Sequence, residues 1–323
     1  MKILITGGAG FIGSHIVDAL LYEGKTVTVI DNLSTGLERN IEHNYNNTNF
    51  RFVNEDISNT ELLDSLISAS DLVLHLASSV GVRYIMDNPL KSLDSNVLNS
   101  INLIKICAKH NKRIFFFSTS EIYGKSNAPN LKEEDDRILG QSFRWSYSLG
   151  KAIGENYLYA YGKEQKLDYN ILRCFNIVGP RQVSNYGMVL PRLVMQALKN
   201  EPMTIYDDGN QIRTFTYVMD LVRIVTYLVN NNEINHQTFN IGSNNIISIL
   251  DLARKVQSVT NSNSPFVFIP STEVYGEQFD DIRVRIPNIE KLDDLGITHD
   301  FLDLDNIISR IVDYHKSQNI VTI

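Results

Sequence analysis

Short apolar runs and longer amphipathic stretches take turns along the first half of the chain. Residues 2–6, 26–30, 50–53, 72–76, 113–117 and 169–173 are apolar or β-branched runs of strand length. Between them, residues 11–22, 60–67, 89–109 and 147–163 repeat their apolar positions at helical spacing. Strands that alternate with helices predict a parallel sheet covered on both faces. After about residue 176 the rhythm shortens, broken by Gly179-Pro180, Asp208-Gly209, Pro265, Pro270 and Pro287. Helical spacing persists over 189–199, 218–229, 249–259 and 303–315. This predicts an α/β chain with a Rossmann-type doubly wound parallel sheet and a smaller α/β substrate-binding lobe. Residues 1–175 would form the first domain, with later segments near 215–240 interleaved, and 176–323 mainly the second.

Composition narrows the classes. Of 323 residues, 43% are apolar and 21% charged, enough apolar surface to bury a large core. The formal charge of −7 gives no electrostatic footprint for nucleic acid and disfavours an anionic membrane surface. No apolar run reaches the ~18–20 residues of a membrane span. Two cysteines, Cys107 and Cys174, lie in apolar runs and read as buried, reduced thiols, with a cytoplasmic location as the default. The run 133–137 reads as a solvated charged loop.

Candidate chemistry begins where the first strand ends. Gly7, Gly10 and Gly13 are spaced G-x-x-G-x-x-G between a strand and a helix. Small residues there permit a tight turn and close approach of backbone N–H groups to a pyrophosphate, and the helix N-terminus favours its charge. Phe11 and Ile12 complete that loop. Asp31 ends the second strand, where an acid bonds ribose hydroxyls and repels a 2′-phosphate, so NAD is expected over NADP. Asp56 and Ile57 follow the third strand and would frame the adenine. No metal site is expected.

Ser118, Thr119, Ser120 and Glu121 follow the strand at 113–117, at the carboxyl edge where open α/β sheets bind ligands. Tyr147 and Lys151 stand at i and i+4, on one helix face. A lysine ammonium beside a phenol would lower its proton affinity, so Tyr147 could take a hydroxyl proton as hydride leaves the same carbon.

These segments resemble the extended short-chain dehydrogenase/reductase family of nucleotide-sugar epimerases, dehydratases and decarboxylases. The resemblance rests on residues 6–15, 31–36, 74–78, 118–124, 147–151, 173–182 and 205–215. It implies a tightly held NAD, with Asn32, Ser34, Gly36, Leu76 and Ala77 joining the glycine loop and Lys151 on the nicotinamide ribose. It places Thr119 and Tyr147 at the sugar O4 and gives Glu121, with Ser120, a part in proton handling. Asn176, Arg192, Arg213 and Arg285 match positions that hold the nucleotide diphosphate; Val82, Val189 and Tyr206 would line the same subsite. Arg181 would face a substrate carboxylate or be structural.

Two departures from the family pattern bear on the reaction. Tyr206-Asp207-Asp208-Gly209 stands where Tyr-Gly-Asp-Gly is common, and Thr119-Ser120-Glu121 where dehydratases of TDP-glucose carry Thr-Asp-Glu. The resemblance favours a UDP-glucuronate decarboxylase or related 4-epimerase. A neutral UDP-hexose 4-epimerase and a 4,6-dehydratase follow, and a non-catalytic NAD-binding regulator is the alternative of another class. Apolar residues on several faces of the helices near 93–109 and 147–163, including Leu149, Ile153, Tyr157 and Tyr161, add the expectation of a homodimer.

Overall fold

The computed structural model describes residues 1–78, 88–126, 128–184, 188–276, 282–298 and 300–318. Six strands from the first half, β1 (Lys2–Thr6), β2 (Thr26–Asp31), β3 (Phe50–Asn54), β4 (Leu72–His75), β5 (Arg113–Thr119) and β6 (Tyr169–Cys174), join a late strand, Gln237–Ile241, in one seven-stranded sheet. Every pairing is parallel. The order is β3-β2-β1-β4-β5-β6, then Gln237–Ile241. Strand succession therefore reverses between β1 and β4, which opens a crevice at their carboxyl ends. Register brings Thr6, Ile30 and His75 side by side at that edge.

The apolar runs of β1 and β4 are buried on both faces, as an enclosed parallel strand requires. On one face, Ile16, Val17 and Leu20 of α1 (Phe11–Tyr22) pack with Leu221, Val225 and Leu228 of the helix Val218–Asn230. On the other, Leu63 and Ile67 of α2 (Thr60–Ser68) pack with Leu103, Ile104 and Leu158. A third core, built from Leu193, Val194, Leu252, Val256, Ile307 and Ile311, holds together three helices of the second half. Beside it, Ile212–Thr214 pairs with Ile246–Ser248 and Val284–Arg285, and Met203–Tyr206 pairs with Phe266–Ile269.

Two local features depart from the sequence pattern. The stretch expected as one helix over 89–109 is Pro89–Leu93, a π-helical Asp94–Asn99 and Ser100–Lys109. Just past the wide segment, Ser100 Oγ meets His75, whose other ring nitrogen meets Thr6 Oγ1 at 2.8 Å. Burial lowers the His75 pKa well below its ordinary value, so the ring bridges these hydroxyls uncharged. The charged run 133–137 is not merely a solvated loop. Glu133 accepts from the Asn240 N–H and, through its carbonyl, from Arg173, while Arg137 reaches the buried Glu155.

Candidate active site

The crevice continues into a cleft of roughly 530 Å³ that runs from the glycine loop to the smaller core. Gly7 has φ +73°, and a Cβ there would stand 2.7 Å from the Ala77 nitrogen. A Cβ on Gly13 would fall 2.3 Å from the Gly7 carbonyl oxygen. Both positions therefore exclude a side chain, and α1 begins directly beyond the turn. Asp31 accepts from the Ala9 and Leu33 N–H groups, each at 2.9 Å, which pins its carboxylate beside the loop. Asn32 donates to Asp56 at 2.5 Å and accepts from the Ser34 N–H. Phe11, Ile12, Ile57, Leu76 and Ala77 line the cleft, as does Gly10. Gly36 does not; it packs behind Asp31, where its Cβ would be 3.0 Å from Oδ2.

Thr119 ends β5, and its Oγ1 accepts the Glu121 N–H, turning the chain so that Ser120 is buried and Glu121 enters the cleft. Tyr147 is the second residue of the helix Ser146–Gln165, with the Ser78 and Thr119 side chains beside its phenol. One turn on, the buried Lys151 places Nζ 4.8 Å from the Phe116 ring centroid and 5.9 Å from that of Tyr147. Burial brings Lys151 down to about 8. Burial, then the Glu121 charge, pushes the Tyr147 phenol up. The lysine was expected to lower that phenol; in the protein alone burial and the Glu121 charge raise it.

Glu121 also needs correction as a proton carrier. Burial would raise its pKa, but Arg144 at 3.3 Å and Arg285 at 3.0 Å hold the carboxyl at about 2. It is a fixed carboxylate rather than an acid with a proton to give. Arg285 also donates to Asn176 Oδ1 at 2.8 Å, and Asn176 Nδ2 donates to the Thr214 carbonyl. Arg213 lies against the Ile212 carbonyl at 2.9 Å, while Val189, Arg192 and Tyr206 line the far end of the cleft. Arg181, expected as one option opposite a substrate carboxylate, is instead paired with Asp18 of α1 at 2.8 Å. The arginines that meet at Glu121 are Arg144 and Arg285. Val82 lies outside the described residues.

The site candidates read from the sequence did not include the cleft residues Ser78, Arg144 and Gln211. Arg144 carried a signal, because it stands one helical turn before Tyr147. Ser78 and Gln211 carried none, since their place depends on how distant loops meet.

Residues 3–242 match the NAD dependent epimerase/dehydratase family. The chain belongs to that family. It is an enzyme, and its cofactor is NAD. Among relatives, it is 35% identical over 301 residues to a UDP-N-acetyl-alpha-D-glucosaminuronate decarboxylase of Bacillus cytotoxicus, covering 92% of each chain. It is 33% identical to UDP-glucuronic acid decarboxylase 1 of Xenopus tropicalis, covering 98% of this chain and 72% of that one. Its fold superposes with a TM-score of 0.88 on UDP-glucuronic acid 4-epimerase from Bacillus cereus in complex with UDP-glucuronic acid and NAD, at 31% identity over 98% of this chain and 100% of that one. The NAD fit rests on this chain's own geometry. The Cβ-free cradle at Gly7 and Gly13 and the Asp31 carboxylate suit a pyrophosphate and a ribose diol respectively. Within the epimerase/dehydratase frame, Tyr147, Lys151, Thr119 and Glu121 gather at one end of the cleft, where Arg285 and Asn176 come from the second half of the chain.

Proposed function

We propose that this enzyme decarboxylates a UDP-linked hexuronate after oxidation at C4. The observation that carries the reading is the ionised Glu121, clamped by Arg144 and Arg285 in the cleft that Thr119 and Tyr147 line. A plain 4-epimerase needs a proton carrier at O4 and no buried acid–arginine cluster. A uronate carboxylate entering here competes with Glu121 for the same guanidinium groups, and its departure as neutral CO2 ends that competition. The kinship with uronate decarboxylases supports the reading.

NAD, when bound, takes the C4 hydride and returns it. Tyr147 removes the O4 proton, helped by the neighbouring Thr119 hydroxyl and by Lys151, the nearby ammonium. The resulting 4-ketone is β to the carboxylate. The C5–C6 bond then breaks, its electron pair enters the C4–C5 enolate and CO2 leaves. Water protonates C5, and Tyr147 returns its proton to O4 as C4 is reduced. In this reading Gly7, Gly10, Gly13, Asp31 and Asn32 hold NAD, while Arg213, Arg285 and Asn176 face the diphosphate and sugar. We assign residues 1–175 and 215–240 to cofactor binding and most of 176–323 to the substrate. Two free cysteines accord with a reducing, cytoplasmic compartment, and the exposed apolar positions Leu149 and Ile153 with a homodimer.

Incubating the NAD-loaded enzyme with UDP-glucuronate is expected to release CO2 and yield a UDP-pentose. A product of unchanged mass and inverted C4 establishes the second reading, uronate 4-epimerisation, which the fold's match to the Bacillus cereus enzyme favours. Turnover of neutral UDP-hexoses with no reaction of the uronate overturns both.

A further inference from the structure

The far end of the cleft contains a buried cation with no carboxylate partner among the described residues. Arg192 rises from the helix Val189–Leu198, with its guanidinium carbon 4.1 Å from the Tyr206 ring centroid. Nη2 donates to the Thr204 carbonyl at 3.2 Å. Nε and Nη1 are buried and meet no acceptor, and no carboxylate pairs with this arginine among the described residues. Such a group is costly to bury, and its donors point to a ligand rich in acceptors.

Gln211 supplies the complementary vacancy. It is 4% exposed, and its Nε2 donates to the Tyr206 carbonyl at 3.2 Å. That bond fixes the amide orientation and leaves Oε1 buried without a donor. Both residues line the cleft, beside Tyr206. One partner thus offers two donor nitrogens and the other a single acceptor. A phosphate satisfies the arginine but sets its anionic oxygens against Oε1. A flat ring with a carbonyl adjacent to a ring N–H satisfies both.

We propose that Arg192 and Gln211 read the imide edge of the substrate's base, the carbonyl accepting from Arg192 and the ring N–H donating to Gln211. Uracil, thymine and guanine carry that edge; cytosine and adenine present the reversed pattern. The proposal rests on the nucleotide-sugar reading above and makes these two residues its base-specificity determinants. A cytosine placed here leaves Gln211 Oε1 facing a lone pair.

The test is calorimetric titration of the NAD-loaded protein with UDP, TDP, GDP, CDP and ADP. At least one imide-bearing diphosphate is expected to bind about 10–100-fold more tightly than CDP and ADP. Arg192→Met and Gln211→Leu are each expected to bring that ratio close to one while bound NAD is retained. Equal binding of imide and reversed bases by the unaltered protein overturns the proposal without touching the nucleotide-sugar reading. So does an equal loss for both classes in Arg192→Met, which would make Arg192 a phosphate ligand. Failure of all five diphosphates to bind overturns the nucleotide-sugar reading itself.

Discussion

Tyr147 sits in a balance between groups that favour its phenolate and surroundings that oppose it. Burial and the Glu121 charge oppose ionisation, while the Ser78 and Thr119 side chains beside the phenol favour it. Tyr147→Phe removes the hydroxyl alone, so the fold and the NAD content should persist while turnover falls about 10²–10⁴-fold, measured by single-turnover kinetics. Glu121 leads to a separate prediction in pH. Its folded pKa of about 2 lies below the ordinary value. Its stabilising contribution is therefore complete above the unfolded pKa and lost as pH falls through the folded one. Thermal midpoints of wild type and Glu121→Gln should differ most near neutral pH and converge as the pH drops from about 5 toward 2. A constant gap would show that Glu121 is not held ionised by Arg144 and Arg285.

At the scale of elements, one buried ion-pair network joins the pieces that present the reacting groups. Glu155 lies on the Tyr147 helix, one turn beyond Lys151, with its side chain fully buried. It accepts from Arg173 of β6 at 2.7 and 3.1 Å, from Ser118 of β5 at 2.5 Å and from Arg137 at 2.5 Å. Arg173 also donates to Tyr123 and to the Glu133 carbonyl. Residues 118 and 173 each precede a cleft residue, so the network sets the relative placement of β5, β6 and the helix. Arg173→Met should cost about 3–5 kcal/mol in denaturant unfolding, because Glu155 then keeps only Arg137 as a cationic partner. A loss below about 1 kcal/mol would leave the network with no structural weight.

For the whole molecule, the proposed homodimer gives the remaining prediction. Leu98 is 60% exposed, and Leu149 and Ile153 of the Tyr147 helix are 44% and 37% exposed. Exposed apolar side chains on neighbouring helices are what a second copy would cover. Sedimentation should give twice the mass of one chain, and Leu149→Glu with Ile153→Glu should reduce it to one. A wild-type protein that sediments as a single active chain rules the dimer out.

The sequence by itself determined the alternating elements, the glycine loop, Asp31 and the Tyr147–Lys151 pair. Each is a local pattern: apolar period sets strand or helix, and i,i+4 spacing puts two side chains on one face. Only the tertiary structure decided that Arg181 joins Asp18, that Glu121 is an anion held by Arg144 and Arg285, and that 133–137 is tied into the core. It also decided that Gln211 and Arg192 line one cleft with Tyr206, and that the strand Gln237–Ile241 joins the edge of the large sheet beside β6. These outcomes depend on partners distant in sequence. A charged side chain takes whichever opposite charge the folded chain brings within reach, and burial then sets its protonation, neither of which is written in local spacing.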